Sequence, residues 1–475
     1  MKSVMKIFDY RILLCMQVLI SSILIYTFFL LNVFPLKYSA LIILLFITIY
    51  TLLYLGNKKN SLITKFISIF LCIVLIFPII YMNYSIKTLG EITEVKSEIN
   101  RISVVVMKDS QYHEIHDLEG KDIIINTKYN AVAMGDTINQ LNELISCNYS
   151  SEDNFIKMAR KLYDGEVNAM IVNEEYLWAM EHKYENFSEE TRTIWTYEHK
   201  SEKADIKKPV AVKNDSFNVF ISGIDTRGDV STVSRSDVNM LATVNTTTNK
   251  ILLISIPRDY YVYIPELDAE DKLTHSGLNG INSSVSTLEG LLNIDINYYV
   301  RVNFTSLVTM VDALGGIEVN SPYEFGIKGT TYYVSKGINR LNGEGALMFS
   351  RERYLLPDGD NDRVKNQQRV IQGMINKLIS PAIITNYTEI LEAISGSFET
   401  NMSMKEITDL LKGQLENMRP WDIQSYSLKG TGSYFRGGAM MPDEELYYCV
   451  PDKKSINEAT NYINSMLLGE FVKIE

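Results

Sequence analysis

The chain has 475 residues, a length that suggests about two to four domains, and a formal net charge of −11. The charge is unevenly spread: residues 1–87 carry a net +7, so the remainder carries −18 and should repel nucleic acid and anionic wall polymers in general. The five histidines show no HExxH or Cys/His metal spacing, so neither a zinc site nor a Ser-His-Asp hydrolase is supported.

Three long uncharged windows open the chain. They lie between Arg11 and Lys37, between Lys37 and Lys58, and between Lys65 and Lys87, and each is about the 20 residues that cross a bilayer as a helix. We therefore predict a membrane domain over 1–87, with helices near 12–35, 38–56 and 66–85. A cleaved signal peptide is disfavoured, because two more spans follow and no small-residue cleavage site is evident.

The basic residues around these windows predict the orientation of the chain in the membrane. Basic residues precede the first helix and fill the second loop, whereas the first loop holds only Lys37. By the positive-inside rule the N-terminus and the second loop are cytoplasmic, and three crossings place everything after Lys87 outside the cell.

Residues 96–208 alternate between strand and helix patterns, which predicts a small α/β domain. The pattern weakly resembles half of an extracellular solute-binding domain, although a spacer without a ligand is the favoured interpretation. Cys147 here and Cys449 near the C-terminus lie far apart, and we expect both to be unpaired. Residues 198–215 are polar and have the composition of a linker.

Charged residues collect where three β-rich runs end, at 217–222, 238–245 and 251–256. Open α/β sheets usually place their ligand sites at such ends. The residues concerned are Asp225, Arg227, Asp229, Arg235, Asp237, Arg258 and Asp259. Aspartates suit Mg²⁺ and arginines suit phosphate oxygens, so the pattern indicates a phosphate-handling site. Charged loops that are merely solvated are the alternative for any single residue.

Further elements follow within a domain predicted over 216–475. Residues 272–282 have the composition of a loop, 284–292 of a helix, 298–303 of a strand, 305–314 of a helix stopped by two glycines, and 317–320 of a strand. A helix over 341–354 presents Arg351 and Arg353, where basic residues could also simply compensate the helix dipole.

The helix predicted over 358–379 has Asp360 or Asp362 as its N-cap and a stop at Pro381. Arg363 and Gln367 share one face of its first turns, where helix N-terminal amides can receive phosphate. Its predicted apolar stripe comprises Val364, Ile371, Met374, Ile375 and Leu378.

These residues resemble the LytR-CpsA-Psr family of Gram-positive cell envelopes. The matching motifs, which span about 217–380, are SGIDTR, SRSDVNML, LLISIPRD, YYVRVNFTSLVTMVDALGGIEVN, LNGEGALMFSRERY and DGDNDRVKNQQRVI. The tail, with LKGTG, PDEELYY and a final helix, is similar too, and three membrane helices with an inserted α/β segment resemble the capsule-polysaccharide branch of the family.

The resemblance implies a fold and an activity. The fold is α/β: three N-terminal transmembrane helices, a small α/β accessory domain, then an LCP-type α/β/α domain with a central mixed sheet around an apolar groove for lipid. The activity is transfer of a glycan from a polyprenyl-pyrophosphate carrier to peptidoglycan through a phosphodiester. Capsule polymerase and export proteins are further expected partners, and nucleic acid is not expected as a partner.

The resemblance also implies roles for single residues. Asp225 and Asp237 resemble the family's Mg²⁺ ligands, with Mn²⁺ as a substitute, and Lys272 and Asp360 occupy the positions of a loop lysine and an acid before the last helix. The clamp on the pyrophosphate oxygens comprises Arg235, Arg258, Arg351, Arg353 and Arg363, with a hydrogen bond from Gln367. His275 departs from the small or aromatic residue of many relatives, which puts acceptor contacts there in doubt.

The residue pattern and the resemblance leave the general base open, and two alternative functions with it. The general base is Asp225, Asp360 or an arginine-linked water. A scaffold that holds lipid-linked glycan without chemistry, and a membrane-bound transcriptional attenuator, are the alternative functions, and pyrophosphate hydrolysis is an expected side activity. The paired aspartates argue against the scaffold, and the outward orientation together with the lack of a basic recognition helix argues against the attenuator.

Overall fold

The computed structural model of the protein describes residues 10–33, 35–58, 62–93, 97–203, 215–224, 229–326, 332–380, 387–394, 398–417 and 419–470, with the single residues 206, 208, 210, 212, 330, 472 and 474. Asp225, Arg227 and Pro381, which the predictions above include, lie outside the described residues.

Three apolar helices form the N-terminal membrane anchor. They are α1 (Tyr10–Leu31), α2 (Leu36–Lys58) and α3 (Leu62–Thr93). Each is long and apolar enough to cross a bilayer. The third helix contains Pro78 and continues past the predicted boundary at residue 85 to Thr93, which makes it longer than a bilayer crossing needs.

A five-stranded mixed sheet is formed within residues 97–203, all of which the structure describes. The elements are β1 (Glu98–Met107), β2 (Asp122–Ile125), α4 (Ala131–Asn142), β3 (Asn148–Ser151), α5 (Phe155–Tyr163), β4 (Ala169–Asn173), α6 (Leu177–Glu181), α7 (Phe187–Glu190) and β5 (Thr191–Ser201). The strand order is β3-β2-β4-β1-β5. Asn154 caps α5 by accepting hydrogen bonds from the amides of Ile156 and Lys157. The predicted α/β alternation is confirmed.

The larger part of the chain follows from residue 216. Its elements are β6 (Ser216–Ile224), β7 (Ser236–Asn245), β8 (Lys250–Ile256), β9 (Tyr261–Ile264), β10 (Ala269–Lys272), α8 (Leu273–Ser276), α9 (Ile281–Leu292), β11 (Tyr298–Asn303), α10 (Phe304–Ala313), β12 (Ile317–Ser321), β13 (Phe325–Gly326), β14 (Tyr333–Val334), β15 (Gly337–Leu341), α11 (Gly343–Arg351), α12 (Asp360–Leu378), α13 (Tyr387–Ile394), β16 (Glu399–Thr400), α14 (Met404–Asn417), β17 (Asp422–Ser427), β18 (Gly430–Phe435), β19 (Leu446–Pro451) and α15 (Lys453–Leu467).

A mixed central sheet of order β16-β11-β6-β7-β8-β17 carries helices on both faces. Side chains alternate along each strand, so Phe220 and Leu241 pack with α9 and α15 on one face. Phe217 and Met240 point the other way and pack with residues of α12 and α14. The predicted α/β/α architecture with a central mixed sheet is confirmed.

The end of the membrane anchor rests on this larger unit. Leu31 of α1 and Leu89 of α3 are buried in one cluster with Met404 and Ile407 of α14. The Nζ of Lys412 donates a hydrogen bond to Oδ1 of Asn32, 3.2 Å away. The sheet is therefore held against one end of the membrane helices.

Most of residues 272–282 is helical rather than a loop, which corrects the prediction; Lys272 ends β10, and Gly280 lies between two helical stretches. They comprise α8, a 3₁₀ turn over Gly277–Asn279, and the start of α9 at Ile281. Leu273 and Ser276 are buried, and apolar burial in this segment outweighs its loop-like composition. Gly280 separates the turn from α9 with a φ of 87°, a conformation that favours glycine.

The first turn of α12 also differs from the prediction. Neither Asp360 nor Asp362 is the N-cap: Gly359 precedes the helix with a φ of 51°, and Asp362 accepts the amide hydrogen of Asp358. Of the predicted apolar stripe only Met374 is buried, and the other four members are half-buried, whereas Val370 and Gly373, which the prediction left out, are buried. A Cβ on Gly373 would lie 2.7 Å from the carbonyl oxygen of Glu318, so glycine permits the close approach of α12 to β12.

Helix α11 is shorter at its C-terminal end than predicted. It ends at Arg351, so Arg353 follows the helix instead of belonging to it. The structure describes all four cysteines, and each is a free thiol, as the spacing of Cys147 and Cys449 predicts.

Candidate functional site

The candidate site lies at the edge of the central sheet where several strand ends meet. Strand β6 ends where β7 begins, since Ile224 pairs with Ser236. Strand β8 ends beside them, since Ile256 pairs with Asn239, and β11 runs parallel to β6. The end of β6, the residues that follow β8 and those that open β7 are thus brought together, as the sequence pattern predicts.

Asp237 and Arg258 form the centre of the cluster. Nη1 of Arg258 lies 2.9 Å from Oδ2 of Asp237, and the hydroxyl of Thr274 donates to Oδ1 of Asp237 at 2.9 Å. Thr274 belongs to α8, which the sequence predicted as loop. The burial of α8 therefore fixes the orientation of the Asp237 carboxylate from the opposite side.

Asp259 joins Arg258 to Lys272. Its Oδ2 lies 3.6 Å from Nε of Arg258 and its Oδ1 lies 3.3 Å from Nζ of Lys272. The backbone oxygen of Asp259 accepts the amide hydrogen of Cys449 at 2.8 Å, which ties the site to β19. Asp259 is among the charged residues of the predicted phosphate-handling site, and its position directly after Arg258 at the end of β8 is the sequence signal for it; its contact with Lys272 is not predicted.

Arg363 and Asp360 enter from the first turn of α12. Nη2 of Arg363 lies 2.7 Å from Oδ1 of Asp360, and the side chain of Arg363 is only 12% exposed. Burial lowers the pKa of Arg363; Asp360 opposes the shift, while the like charges of Arg258 and Arg353 add to it. Nε of Arg363 is buried, and among the described residues it has no hydrogen-bond partner. Positive charge is therefore concentrated at a partly desolvated position, where a bound anion would be stabilised.

The remaining predicted arginines occupy different surroundings. The guanidinium of Arg353 lies 4.7 Å from the ring of Tyr354 and donates to its hydroxyl, yet is close enough to act on Arg363. The guanidinium of Arg351 lies 4.4 Å from the ring of Phe304. Gln367 is half-buried one turn after Arg363. Arg353 thus borders the cluster, while Arg351 packs on α10.

Arg235 contacts the accessory domain. Its guanidinium lies 5.4 Å from the ring of Trp178, and its charge acts on Glu175. No sequence pattern predicts this contact, because Trp178 and Arg235 belong to parts of the chain that are predicted to be separate domains.

The donor chemistry at Asp237 fits a hard divalent cation. Each carboxylate oxygen has two lone pairs and accepts one of the hydrogen bonds described above, so acceptor capacity remains. Among the residues described by the structure, His, Cys, Asp and Glu do not gather in groups of three or more that could hold a metal, and Asp225 is not among those residues.

Two other groups beside the cluster are unsuited to nucleophilic chemistry. Burial, with Asp259 and Asp360 nearby, raises the pKa of the Cys449 thiol to about 11. Burial and the same two carboxylates raise the pKa of the Tyr447 phenol. Both groups stay protonated near neutral pH, so the described cluster supports charge stabilisation rather than thiolate chemistry.

A buried pair of side chains, Asp271 of β10 and His275 of α8, joins these two elements. Nδ1 of His275 lies 3.0 Å from Oδ1 of Asp271, although this nitrogen has no hydrogen bond of good geometry. Asp271 also accepts the amide hydrogens of Lys272 and Met440. Burial raises the pKa of Asp271, but His275 and the two amides outweigh it, so the pKa lies below its ordinary value of 3.8.

Asp271→Asn is expected to lower the melting temperature of the purified full chain by about 6 °C or more, because it removes one partner of a buried pair. Since the pKa of Asp271 is depressed in the folded protein, its contribution is present above pH 3.8 and is lost as pH falls through the folded value. Asp268→Asn, which keeps an acceptor for the Tyr263 hydroxyl, is the matched control. Equal melting temperatures for the two variants would show that the pair is dispensable.

Comparison with known proteins adds the family context. The LytR_cpsA_psr family profile matches residues 178–464. The chain is 35% identical over 274 residues to the polyisoprenyl-teichoic acid–peptidoglycan teichoic acid transferase TagU of Bacillus subtilis. The match covers 56% of this chain and 83% of that protein. It is 38% identical over 231 residues, 48% of its length, to 74% of the protein of the same name from Enterococcus faecalis.

Solved structures are similar over about half of the chain. The crystal structure of B. subtilis TagU is 32% identical, with a TM-score of 0.42, over 55% of this chain and 100% of that one. The structure titled as TagT bound to LI-WTA is 28% identical, with a TM-score of 0.45, over 55% of this chain and 94% of that one.

Proposed function

The chain belongs to the LytR-CpsA-Psr family, and on that premise we propose that it transfers a glycopolymer from a polyprenyl-pyrophosphate carrier to peptidoglycan. Its TagU relatives are named as transferases of teichoic acid to peptidoglycan. The observation that carries the proposal is that the like charges of Arg258 and Arg353 act on Arg363, whose buried Nε has no hydrogen-bond partner among the described residues. A pyrophosphate would supply the negative charge and acceptors that this point needs.

In the proposed reaction, a hydroxyl oxygen of peptidoglycan attacks the phosphorus that bears the glycan. The bond from that phosphorus to the bridging oxygen breaks, and polyprenyl phosphate leaves with the bonding electrons. Arg258, Arg353 and Arg363 stabilise the charge that develops on the phosphoryl and leaving oxygens. Lys272 and Asp259 hold Arg258 in place through their contacts.

A divalent cation, Mg²⁺ or in its place Mn²⁺, is proposed to bind at Asp237 with Asp225. When bound, it would polarise a phosphoryl oxygen. Thr274 and Arg258 orient the Asp237 carboxylate for this role. Among the described acids, Asp360 is proposed to accept the proton of the attacking hydroxyl. Its side chain is 44% exposed and so accessible to the acceptor, whereas those of Asp237 and Asp259 are 13% and 18% exposed.

We further propose that the polymer is a capsular polysaccharide or a teichoic-acid-like polymer, delivered by polymerase and export proteins. The three-helix anchor and the α/β sheet over 98–201, most of it before the family match, support the capsule assignment. The proposed topology has a cytoplasmic N-terminus and places the site outside the cell, next to the carrier lipid in the membrane. Water in place of the acceptor would give pyrophosphate hydrolysis.

The purified full chain in detergent micelles is expected to release polyprenyl phosphate from a lipid-pyrophosphate glycan with Mg²⁺, and to lose at least about 100-fold of that rate with a chelator. Readdition of Mg²⁺ should restore the rate and controls for unfolding by the chelator. Tight lipid binding without release, in the presence of peptidoglycan fragments, would instead favour a scaffold that holds the lipid-linked glycan.

A further inference from the structure

The accessory domain and the catalytic part of the chain share one hydrophobic core. Tyr129, Phe155 and Tyr176 of the accessory domain are buried together with Leu278 and Tyr448 of the larger unit. The hydroxyl of Tyr129 donates to the backbone oxygen of Ala439 at 2.8 Å. A shared apolar core holds two units in a fixed arrangement, which is not what a spacer requires.

The accessory domain also pairs with the segment that leads to Asp237. The amide of Ile99 in β1 donates to the oxygen of Ser231 at 3.1 Å, and the amide of Val233 donates to the oxygen of Ile99 at 2.9 Å. Glu98 accepts the amide hydrogen of Ile281 at 3.1 Å, at the N-terminus of α9. The backbone before Arg235 and Asp237 is therefore held by β1 in strand-like pairing.

Trp178 lies where this contact reaches the site. Its ring stacks on the ring of His275, with centroids 4.7 Å apart and an interplanar angle of 27°, and it contacts the guanidinium of Arg235 at 5.4 Å. Glu175, three residues before Trp178, interacts with the charge of Arg235. Arg235 and α8 are thus both packed against one indole.

We propose that the accessory domain is part of the catalytic unit and that Trp178 is a positioning residue for Arg235. The proposal rests on the proposed function, and it takes Arg235 as a member of the pyrophosphate clamp, the role that the family resemblance implies for it. An arginine side chain loses rotamer freedom when it binds a ligand, and a cation–π contact that already limits its conformations reduces that loss. Trp178 acts through Arg235 and does not itself touch the reacting atoms.

The test is a double-mutant cycle on the full chain in detergent micelles, with Trp178→Ala, Arg235→Ala and the double variant. Trp178→Ala is expected to lower kcat/KM by about 5- to 30-fold, the range of a partly desolvated cation–π contact. In the Arg235→Ala background the same change should have less than about a 2-fold effect, because the partner is already absent. Trp178→Phe, which keeps a ring, should retain most of the activity.

Trp195→Ala is the matched control. Trp195 belongs to β5 of the same domain and stacks on Tyr197, so its loss tests damage to the accessory domain away from Arg235. Melting temperatures of all variants separate misfolding from positioning. Equal fold losses for Trp178→Ala in both backgrounds, or no loss in either, would overturn the proposal.

A second readout separates this proposal from the proposed function. The affinity of each variant for geranylgeranyl pyrophosphate in mixed micelles gives the same cycle without turnover. If the affinities show coupling between Trp178 and Arg235 but the wild-type chain releases no polyprenyl phosphate, the positioning role is kept and the transferase is rejected. If the wild-type chain releases polyprenyl phosphate but neither readout shows coupling, the transferase is kept and the positioning role is rejected.

Discussion

Asp237→Asn is expected to reduce polyprenyl phosphate release to about 1% of wild type or less, the scale of losing one preorganised charge-stabilising group. The substitution keeps the size of the side chain and an oxygen that can accept from Thr274, so the local packing survives. It removes the negative charge that pairs with Arg258 at 2.9 Å and that the proposed cation requires. The measurement is the rate of release at saturating Mg²⁺.

Asp229→Asn provides a control in the same segment. Asp229 is exposed and its Oδ1 accepts the amide hydrogen of Ser231 at 2.8 Å, a bond that asparagine also makes. Its rate should stay within about 2-fold of wild type, since surface charges away from a partner contribute little. Comparable losses in the two variants would mean that the segment tolerates no substitution, and Asp237 would lose its special role.

The fold was largely predictable because its signals are local. The runs at 217–222, 238–245 and 251–256 alternate or are wholly apolar, and each becomes a strand of the central sheet. The failures occur where packing outweighs local preference. The segment 272–282 has a loop composition but becomes helical because Leu273 and Ser276 are buried.

The site was predictable only in part, because its residues meet through long-range contacts. Arg258 and Asp237 could be paired in advance, since both stand at strand ends on one edge of a sheet. No periodicity links Trp178 to Arg235, or Thr274 to Asp237, because these contacts depend on how separate elements dock. Asp259 was visible beside Arg258, but only its contact with Lys272 distinguishes it from a solvated acid.

Arg258→Lys is expected to lower the release rate about 100-fold, although the positive charge is kept. Two nitrogens of Arg258 face two different acids, with Nη1 at 2.9 Å from Asp237 and Nε at 3.6 Å from Asp259. A planar guanidinium can span both and still offer a hydrogen to phosphate, whereas an ammonium is a single point. The comparison of Arg258→Lys with Arg258→Ala measures what charge alone contributes.

Arg340→Lys is the corresponding control, because Arg340 is 87% exposed and contacts only the solvated Glu318 at 2.9 Å among the described ion pairs. It should leave the rate unchanged. If Arg258→Lys also retained near-normal rates, a diffuse positive field would suffice, and the two-pronged clamp would be wrong. If lysine were no better than alanine, the geometry of the guanidinium would be the property that matters, because the neighbouring carboxylates would then hold the ammonium away from the phosphate.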